Sequence, residues 1–182
     1  MHKFVTERLC IRRFTAEDWC DLHAYLSLPD VVKYEPYNVF TEDECKVAAL
    51  KRAENPAFWA VCLKDSGKLI GNLYFQQDEY KEIRTWELGY VFNPVYHGLG
   101  YATESCRCIM DYAFTTLKAH RIVAKCNPRN TPSWRLLERL SMRREGHLIK
   151  SIFFKRDDSG NPIWNDTYMY AMLATEWTPI KP

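Results

Sequence analysis

A strand, a glycine loop and a helix follow one another near the middle of the chain, and this unit constrains the fold most. The run RTWELGYVF (84–92) is strand-like, Pro94 ends it, and 101–118 has apolar residues at helical spacing. Gly98 and Gly100 lie between the two elements. Glycine allows backbone conformations that a Cβ forbids, and the unpaired N–H groups at a helix start attract anions. The unit therefore predicts a loop that binds phosphate or pyrophosphate.

Other interpretations of this loop lead to different classes of protein. A glycine-rich connection without any ligand stays open as an alternative. A dinucleotide-binding fingerprint fits poorly, because Thr103 stands where a third glycine belongs, and His120 and Arg121, about twenty positions on, are not acids. A Walker loop is excluded, since no Gly-Lys-Ser/Thr follows. The sequence thus favours an anion-binding loop that belongs to neither of these nucleotide-binding families.

The other elements place this unit in a larger sheet. Thr15 with Asp18, and Thr41 with Glu44, have the spacing of capping boxes that open helices. The predicted strands are 8–14, 57–64, 68–77, 84–92, 121–126, 146–154 and 166–174, and the predicted helices are 16–28, 42–54, 101–118 and one from about Pro132. One mixed sheet with helices on both faces would bury these patterns.

Composition and charge exclude several classes of protein. The 182 residues are 47% hydrophobic and 26% charged with a formal net charge of +2, which is typical of a globular protein and gives no basis for nucleic-acid binding. Seven cysteines without a CxxC pair, and five scattered histidines, predict free thiols in a reducing compartment and no metal site. MHKFVTERL is not a signal peptide and no apolar run approaches a membrane span. We therefore expect a cytoplasmic protein without membrane contact.

Five blocks of the sequence, in order along the chain, resemble the GNAT acyltransferase superfamily. They are TERLCIRRF, GKLIGNLYF, WELGYVFNPVYHGLGYATES, NPRNTPSWRLLERLSMRREG and NDTYMYAMLATEW. Within the superfamily they are most similar to the branch of RimJ/RimL-type ribosomal-protein N-terminal acetyltransferases. The resemblance implies one domain over residues 1–182 and acetyl-CoA as co-substrate. It also implies an α+β fold layered α/β/α, with a mixed, mostly antiparallel central sheet of about six or seven strands flanked by helices.

The resemblance also implies where acetyl-CoA binds. Backbone groups at the end of the 84–92 strand would hold the pantetheine and thioester if that strand splays from its neighbour, and the loop that follows would hold the pyrophosphate. The implied cofactor-binding residues are Tyr90, Val91, Phe92, His97, Gly98, Leu99, Gly100, Tyr101, Ala102, Thr103 and Asn130. His97 stands where the superfamily has Gln or Arg, so a neutral imidazole could donate only one hydrogen bond there.

Glu87 and Ser133 are the candidate catalytic residues. Glu87 lies near the position of a glutamate base on the same strand in some superfamily members, but it could instead face solvent or pair with Arg84 or Lys125. Ser133 resembles the serine that RimL-type enzymes are thought to use near the cofactor sulfur, although serine and asparagine at a helix start are also common caps. Leu137 occupies the position of a tyrosine acid in several members, so no such acid is expected there.

Irregular segments at 30–40 and 155–162 are expected to wall the acceptor site. Their neighbourhood carries aromatic side chains that are more often part of a core, namely Tyr34, Tyr37, Phe40 and Trp164. Glu35 and the pair Asp157-Asp158 could attract a cationic amine, but solvation at the surface is the expected role of all three.

The sequence predicts an N-acetyltransferase that transfers acetyl from acetyl-CoA directly to a primary amine in a ternary complex. Family analogy favours the N-terminal α-amine of a protein or peptide, with a small-molecule amine as the alternative. His97 and Leu137 leave open a different class, a CoA-binding sensor or interaction module without catalysis. A homodimer is compatible with the sequence.

Overall fold

The elements are taken from a computed structural model, which describes residues 3–179; residues 1, 2 and 180–182, the ends of the predicted domain range, lie outside the described residues. The strands are β1 (Phe4–Val5), β2 (Leu9–Arg12), β3 (Phe58–Leu63), β4 (Leu69–Gln77), β5 (Thr85–Phe92), β6 (Arg121–Cys126), β7 (Arg143–Arg156) and β8 (Pro162–Leu173). The helices are α1 (Trp19–Leu26), α2 (Pro29–Val32), α3 (Glu42–Glu54), α4 (Tyr101–Thr115) and α5 (Thr131–Arg139).

All the strands within residues 3–179 belong to one eight-stranded sheet in the order β1-β2-β3-β4-β5-β6-β8-β7. Every neighbouring pair is antiparallel except β5 and β6, which are parallel and are connected through α4. The predicted mixed, mostly antiparallel sheet is therefore confirmed, with one strand more than the upper predicted count. The additional strand is β1, which pairs Phe4 with Ile11 and Val5 with Cys10. Two residues are too few to show an alternating pattern.

Two hydrophobic clusters cover the two faces of the sheet. Side chains of successive strand residues point to opposite faces, and β3 shows this directly. Trp59 and Val61 pack into the cluster that contains α4 and α5, whereas Ala60 and Cys62 pack into the cluster that contains α1 and α3. Helices on both faces give the α/β/α layers that were predicted.

Capping boxes mark the start of α3 and the start of the predicted helix 16–28. The Thr41 amide donates to Glu44 (2.8 Å) and the Glu44 amide donates to Thr41 (3.3 Å), so α3 begins after Thr41 as predicted. The predicted helix 16–28 also begins after Thr15 as predicted, but its first turn is a 3₁₀ turn over Ala16–Asp18, and α1 then ends at Leu26, two residues early. Pro29 then opens α2 inside a segment predicted to be irregular, because proline cannot continue a helix but fits its first turn.

Strands β7 and β8 form a long hairpin that continues beyond the predicted strand ends. The predicted polar loop 155–162 is wrong in length, because Arg156 still pairs with Pro162 in the ladder. The turn is closed by Asp157, whose amide donates to the Asn161 carbonyl (2.9 Å), and Gly160 supplies a φ of 81°. Within residues 3–179, no helix combines the length and the apolar composition needed to cross a bilayer.

Candidate active site

Strand β5 separates from β6 halfway along its length. Its pairing with β4 runs from Trp86 to Phe92, but its parallel pairing with β6 ends where Glu87 meets Val123. Beyond that point the β5 backbone groups that would face β6 have no partner in the ladder. Unpaired strand N–H and C=O groups can bind an extended ligand as an added strand would. The splay on which the predicted thioester site depends is therefore present.

The separation opens a cleft of about 1670 Å³, which exceeds the roughly 300–1,000 Å³ of a typical small-ligand pocket. Its walls come from the loop before α4, the start of α5, the segment between α2 and α3, and the β7–β8 hairpin. The predicted site residues that line it are Glu87, Tyr90, Val91, Phe92, His97, Gly98, Gly100, Tyr101, Ala102, Thr103, Asn130 and Ser133. Leu99 was predicted as a binding residue but does not line the cleft, and its side chain is 52% exposed.

The glycine loop presents bare backbone at the start of α4. Gly98 and Gly100 have φ values of 76° and 84°, in the left-handed region that favours glycine. Gly100 is the residue that caps α4, and no side chain accepts a hydrogen bond from the first turn. The amides of that turn therefore keep the unpaired donors and the positive end of the helix dipole that bind anions.

Arg8 holds this loop from the start of the sheet, and sequence reasoning treated it only as a strand residue. Its Nη1 donates to the Leu99 carbonyl (3.0 Å) and its Nε donates to Glu104 (2.8 Å). The guanidinium also lies 4.7 Å from the centre of the Tyr101 ring. Burial raises the pKa of Glu104, but hydrogen bonds from Thr6 and Arg8 lower it below the ordinary value overall. Arg8 thus ties the loop to α4 from outside the cleft.

The His97 ring makes a hydrogen bond within the protein. Its Nε2 lies 3.2 Å from the Phe92 carbonyl oxygen, and a carbonyl can only accept, so Nε2 carries the proton in the neutral ring. The one N–H that neutral His97 can offer is then directed at β5. This leaves the backbone amides as the donors that the loop can offer to an anion.

Tyr90, Ser133 and Cys126 form a cluster where β5 and β6 diverge. The Tyr90 hydroxyl lies 2.9 Å from the Ser133 carbonyl oxygen and 3.0 Å from its Oγ, and burial raises the pKa of Tyr90 well above its ordinary value. Burial also raises the pKa of Cys126 to about 11, although a hydrogen bond with Ser133 opposes this. Cys126 lines the cleft, which sequence reasoning missed. As a protonated thiol at neutral pH it is a poor nucleophile.

Helix capping, the alternative role for Asn130 and Ser133 at the start of α5, is not seen for either side chain. Asn130 occupies the N-cap position of α5, but its side chain makes no capping hydrogen bond. The Ser133 hydroxyl contacts Tyr90 and does not cap the helix either. Leu137 is fully buried in the core. Both polar side chains are therefore oriented by something other than helix capping.

Glu87 faces the side of the sheet that carries α1 and α3. Residues of β5 alternate: Leu88 and Tyr90 pack towards α4, whereas Val91 packs against the α1–α3 cluster. Glu87 shares the face of Val91 and pairs with Lys125 (3.3 Å), with 43% of its side chain exposed. The Lys125 pairing was one of the two ion pairs considered from the sequence.

The aromatic residues expected around the acceptor fall into two groups. Tyr34 and Tyr37 line the cleft, and the Tyr34 hydroxyl donates to the Arg129 carbonyl (3.3 Å) on the opposite wall. Phe40 and Trp164 do not line it: Phe40 packs with the α1–α3 cluster, and Trp164 stacks edge-on against another hairpin ring.

The acidic residues expected at the surface differ in their exposure and their contacts. Asp157 is exposed and accepts the amides of Ser159 (3.0 Å) and Asn161 (2.8 Å) in the hairpin turn, so its role is structural. Glu35 is half-buried and lines the cleft. Simple solvation was therefore the wrong expectation for Glu35. Within residues 3–179, no group of three or more His, Cys, Asp and Glu side chains is placed to hold a metal ion.

Comparison with known proteins identifies relatives over nearly the whole chain. A profile described as acetyltransferase (GNAT) domain matches residues 8–143. The uncharacterized N-acetyltransferase YnaD of Bacillus subtilis is 41% identical over 178 residues, which cover 97% of this chain and 99% of YnaD. The crystal structure of a GNAT-family acetyltransferase from Bacillus anthracis has a TM-score of 0.86 and 39% identity, and the match covers 96% of this chain and 100% of that one.

Two more distant relatives are named for different acceptors. The ribosomal protein uS5-alanine N-acetyltransferase of Escherichia coli is 27% identical over 115 residues, which cover 63% of this chain and 56% of that protein. The spermidine N(1)-acetyltransferase of Vibrio cholerae is 26% identical over 153 residues, which cover 82% and 87%. A V. cholerae spermidine N-acetyltransferase structure in complex with CoA and spermine shares the fold, with a TM-score of 0.74, 21% identity and coverage of 94% and 98%.

Proposed function

The chain belongs to the GNAT family of N-acetyltransferases, and we propose that it transfers acetyl from acetyl-CoA directly to the N-terminal α-amine of a protein or peptide. The observation that carries the proposal is one cleft into which the strand splay, the glycine loop and the start of α5 all open. We further propose that it belongs to the RimJ/RimL-like branch, that residues 1–182 form one domain, and that it works in the cytoplasm, where its seven free cysteines stay reduced.

The cleft fits the chemistry of coenzyme A. The uncapped first turn of α4 offers amide donors for a diphosphate, and the open edge of β5 offers donors and acceptors for the pantetheine amides. Arg107, Arg129 and Arg139 also line the cleft and add positive charge. When bound, the co-substrate supplies the activated acetyl group. The proposed binding residues are those predicted from the sequence, with His97 and Leu99 contributing backbone only.

The proposed roles of the protein groups follow from where charge develops. Backbone N–H groups of β5 that β6 leaves unpaired are donors for an oxygen that becomes negative during acyl transfer. When the Tyr90 phenol donates to the Ser133 carbonyl, the Ser133 hydroxyl proton is not directed at Tyr90 and can turn from Cys126 to the departing sulfur. Tyr90 is then a positioning residue for Ser133. Cys126 takes no covalent part, because its raised pKa keeps it protonated.

Glu87 is the proposed proton acceptor, acting through water. Its carboxylate is half-exposed and paired with Lys125, so water can reach it and relay a proton to it. A peptide α-amine has a pKa near 7.7–8.0, whereas a lysine-type amine lies near 10.4. A mild, water-relayed base suits the first acceptor better. This chemical match supports the α-amine proposal, and the relative named for ribosomal protein uS5-alanine is consistent with it.

A small-molecule amine is the second candidate acceptor. The spermidine-named relative and the aromatic rings around Glu35 favour it. A third possibility is a CoA-binding sensor without catalysis. It would need the cleft but not the residues that bind or deprotonate an acceptor amine.

Thiol release from acetyl-CoA, measured against N-terminal peptides and small amines, tests the proposed function. Comparing wild type with Glu87→Gln and Ser133→Ala separates binding from chemistry. We expect acetylation of peptide α-amines and a lower kcat in both variants with CoA affinity kept. Coenzyme A binding without release of thiol with any amine would support the sensor instead. An unchanged kcat in both variants would remove the catalytic assignments while leaving the donor site intact.

A further inference from the structure

Glu35 differs from the other carboxylates around the cleft. Those that line it are Asp30, Glu35, Glu87, Glu104 and Asp166. Glu87, Glu104 and Asp166 each contact a basic side chain within 4.0 Å. Asp30 is exposed. Glu35 is half-buried, and it takes part in none of the ion pairs found within residues 3–179.

Arg52, the cation whose charge acts on Glu35, has other partners. Arg52 is buried, with 7% exposure, and its Nη1 donates to Asn72 Oδ1 (2.9 Å). Its guanidinium also lies 4.9 Å from the centre of the Phe58 ring. Burial raises the pKa of Glu35 to about 7, although the Tyr37 hydroxyl and the Arg52 charge both act to lower it. The protein's own groups therefore do not offset the burial of this carboxyl.

Aromatic rings line the cleft together with Glu35, and the Tyr37 hydroxyl hydrogen-bonds its carboxyl. The lining rings of this region are Tyr34, Tyr37, Phe58 and Tyr74. Phe58 and Tyr74 pack edge-on with ring centres 5.3 Å apart, and Tyr74 lies on β4 opposite Gly89 of β5. A carboxylate beside aromatic faces is a good environment for an ammonium group, because both attract a cation.

We propose that Glu35 binds the acceptor in its cationic form, so that this end of the cleft selects positively charged amines. The inference rests on the proposed function, since it assigns the acceptor subsite of that same cleft. An ammonium group would supply the positive charge that Glu35 lacks, and it would stand on the α1–α3 face of the sheet, which also carries Glu87. Glu35 is a specificity residue, and proton transfer stays with Glu87.

Steady-state kinetics and equilibrium binding test this assignment. The probes are a tetraalanine amide with a free amino end and spermidine, and the variants are Glu35→Gln, Glu35→Asp and Asp158→Asn. Asp158 is a matched control because it is exposed and lies outside the cleft. Loss of one contact to a charged group is expected to raise the KM and Kd of the preferred probe about tenfold in Glu35→Gln. Glu35→Asp should recover part of this, and Asp158→Asn should change neither value.

Two further readouts separate binding from a general effect on the fold. The KM of acetyl-CoA should stay within about twofold in Glu35→Gln, since the glycine loop is untouched. The ratio of acceptor KM between Glu35→Gln and wild type should fall towards one below pH 7, where the wild-type carboxyl is also neutral. Tyr37 and Arg52, the two groups acting on Glu35, are identical in both proteins.

The outcomes distinguish this inference from the proposed function. If Glu35→Gln turns over with an unchanged acceptor KM, the inference alone is overturned. The same holds if the KM of acetyl-CoA rises as much as the KM of the acceptor. If a probe binds without turnover and Glu35→Gln weakens that binding, the inference is supported and acetyl transfer is overturned. A wild-type protein that binds CoA but neither binds nor acetylates either probe overturns both.

Discussion

Replacing Glu35 by glutamine is expected to stabilise the folded protein at pH 8 and much less at pH 5. The pKa of Glu35 rises from an ordinary value of 4.5 to about 7, mainly because burial disfavours the charge. The folded state therefore binds more protons than the unfolded state between these values, and the wild type loses stability as the pH rises through this window. Glutamine keeps the shape of the neutral acid and carries no charge at any pH.

The size of the effect follows from the pKa difference. At about 1.4 kcal/mol for each pH unit, the rise to about 7 corresponds to an upper bound of about 3 kcal/mol. Water still screens a half-buried carboxyl, so we expect about 1–2 kcal/mol at pH 8.

Urea unfolding of wild type and Glu35→Gln at pH 5 and pH 8 measures this difference. Asp158→Asn, at an exposed position, should change stability by less than about 0.5 kcal/mol at both pH values. Equal stability of Glu35→Gln and wild type at pH 8, or a gain of the same size at pH 5, would refute the reasoning that Glu35 is held at a desolvated position.

Further predictions concern the donor side of the cleft. Arg8→Ala should weaken CoA binding about tenfold in calorimetry, because the Leu99 carbonyl and Glu104 lose their common partner; unchanged affinity would show that the loop holds its shape alone. Gly100→Ala and Gly160→Ala should each lower the free energy of unfolding by about 1–2 kcal/mol, because φ is positive at both positions. Only Gly100→Ala should also weaken CoA binding, and equal CoA affinity in the two variants would contradict the loop assignment. Cys126→Ala should keep most of the kcat, since a thiol of pKa about 11 is not the nucleophile; loss of turnover with CoA binding intact would reopen a covalent route.

Features that depend only on residues close together in the sequence were predicted well. The capping box at Thr41 and Glu44 fixes the start of α3 within four residues, and the structure forms both of its hydrogen bonds. The glycine loop was found for the same reason: Pro94, Gly98 and Gly100 limit the backbone locally, whatever surrounds them. Strand β6 also has its predicted bounds.

Features that depend on distant partners were missed. The Arg8 side chain meets the Leu99 carbonyl across a separation of 91 residues, and nothing in an alternating strand pattern predicts that contact. Glu35 follows a short helix in an aromatic-rich segment, where composition alone favours a solvated carboxylate. The Arg52 charge that acts on it comes from α3, later in the chain, and Arg52 is itself held by Asn72 of β4. Tertiary contacts therefore decide the acceptor side of the cleft, whereas local sequence decides much of the donor side.

Calorimetric titration of the full, folded chain with coenzyme A tests the central claim most directly, namely that the bare amides before and within the first turn of α4 bind the diphosphate of the acetyl donor. We predict saturable binding with one site per chain, weakened at least about tenfold by Gly100→Ala while Gly160→Ala binds as wild type. Absence of binding to the folded wild type, or equal binding by both glycine variants, would contradict the account.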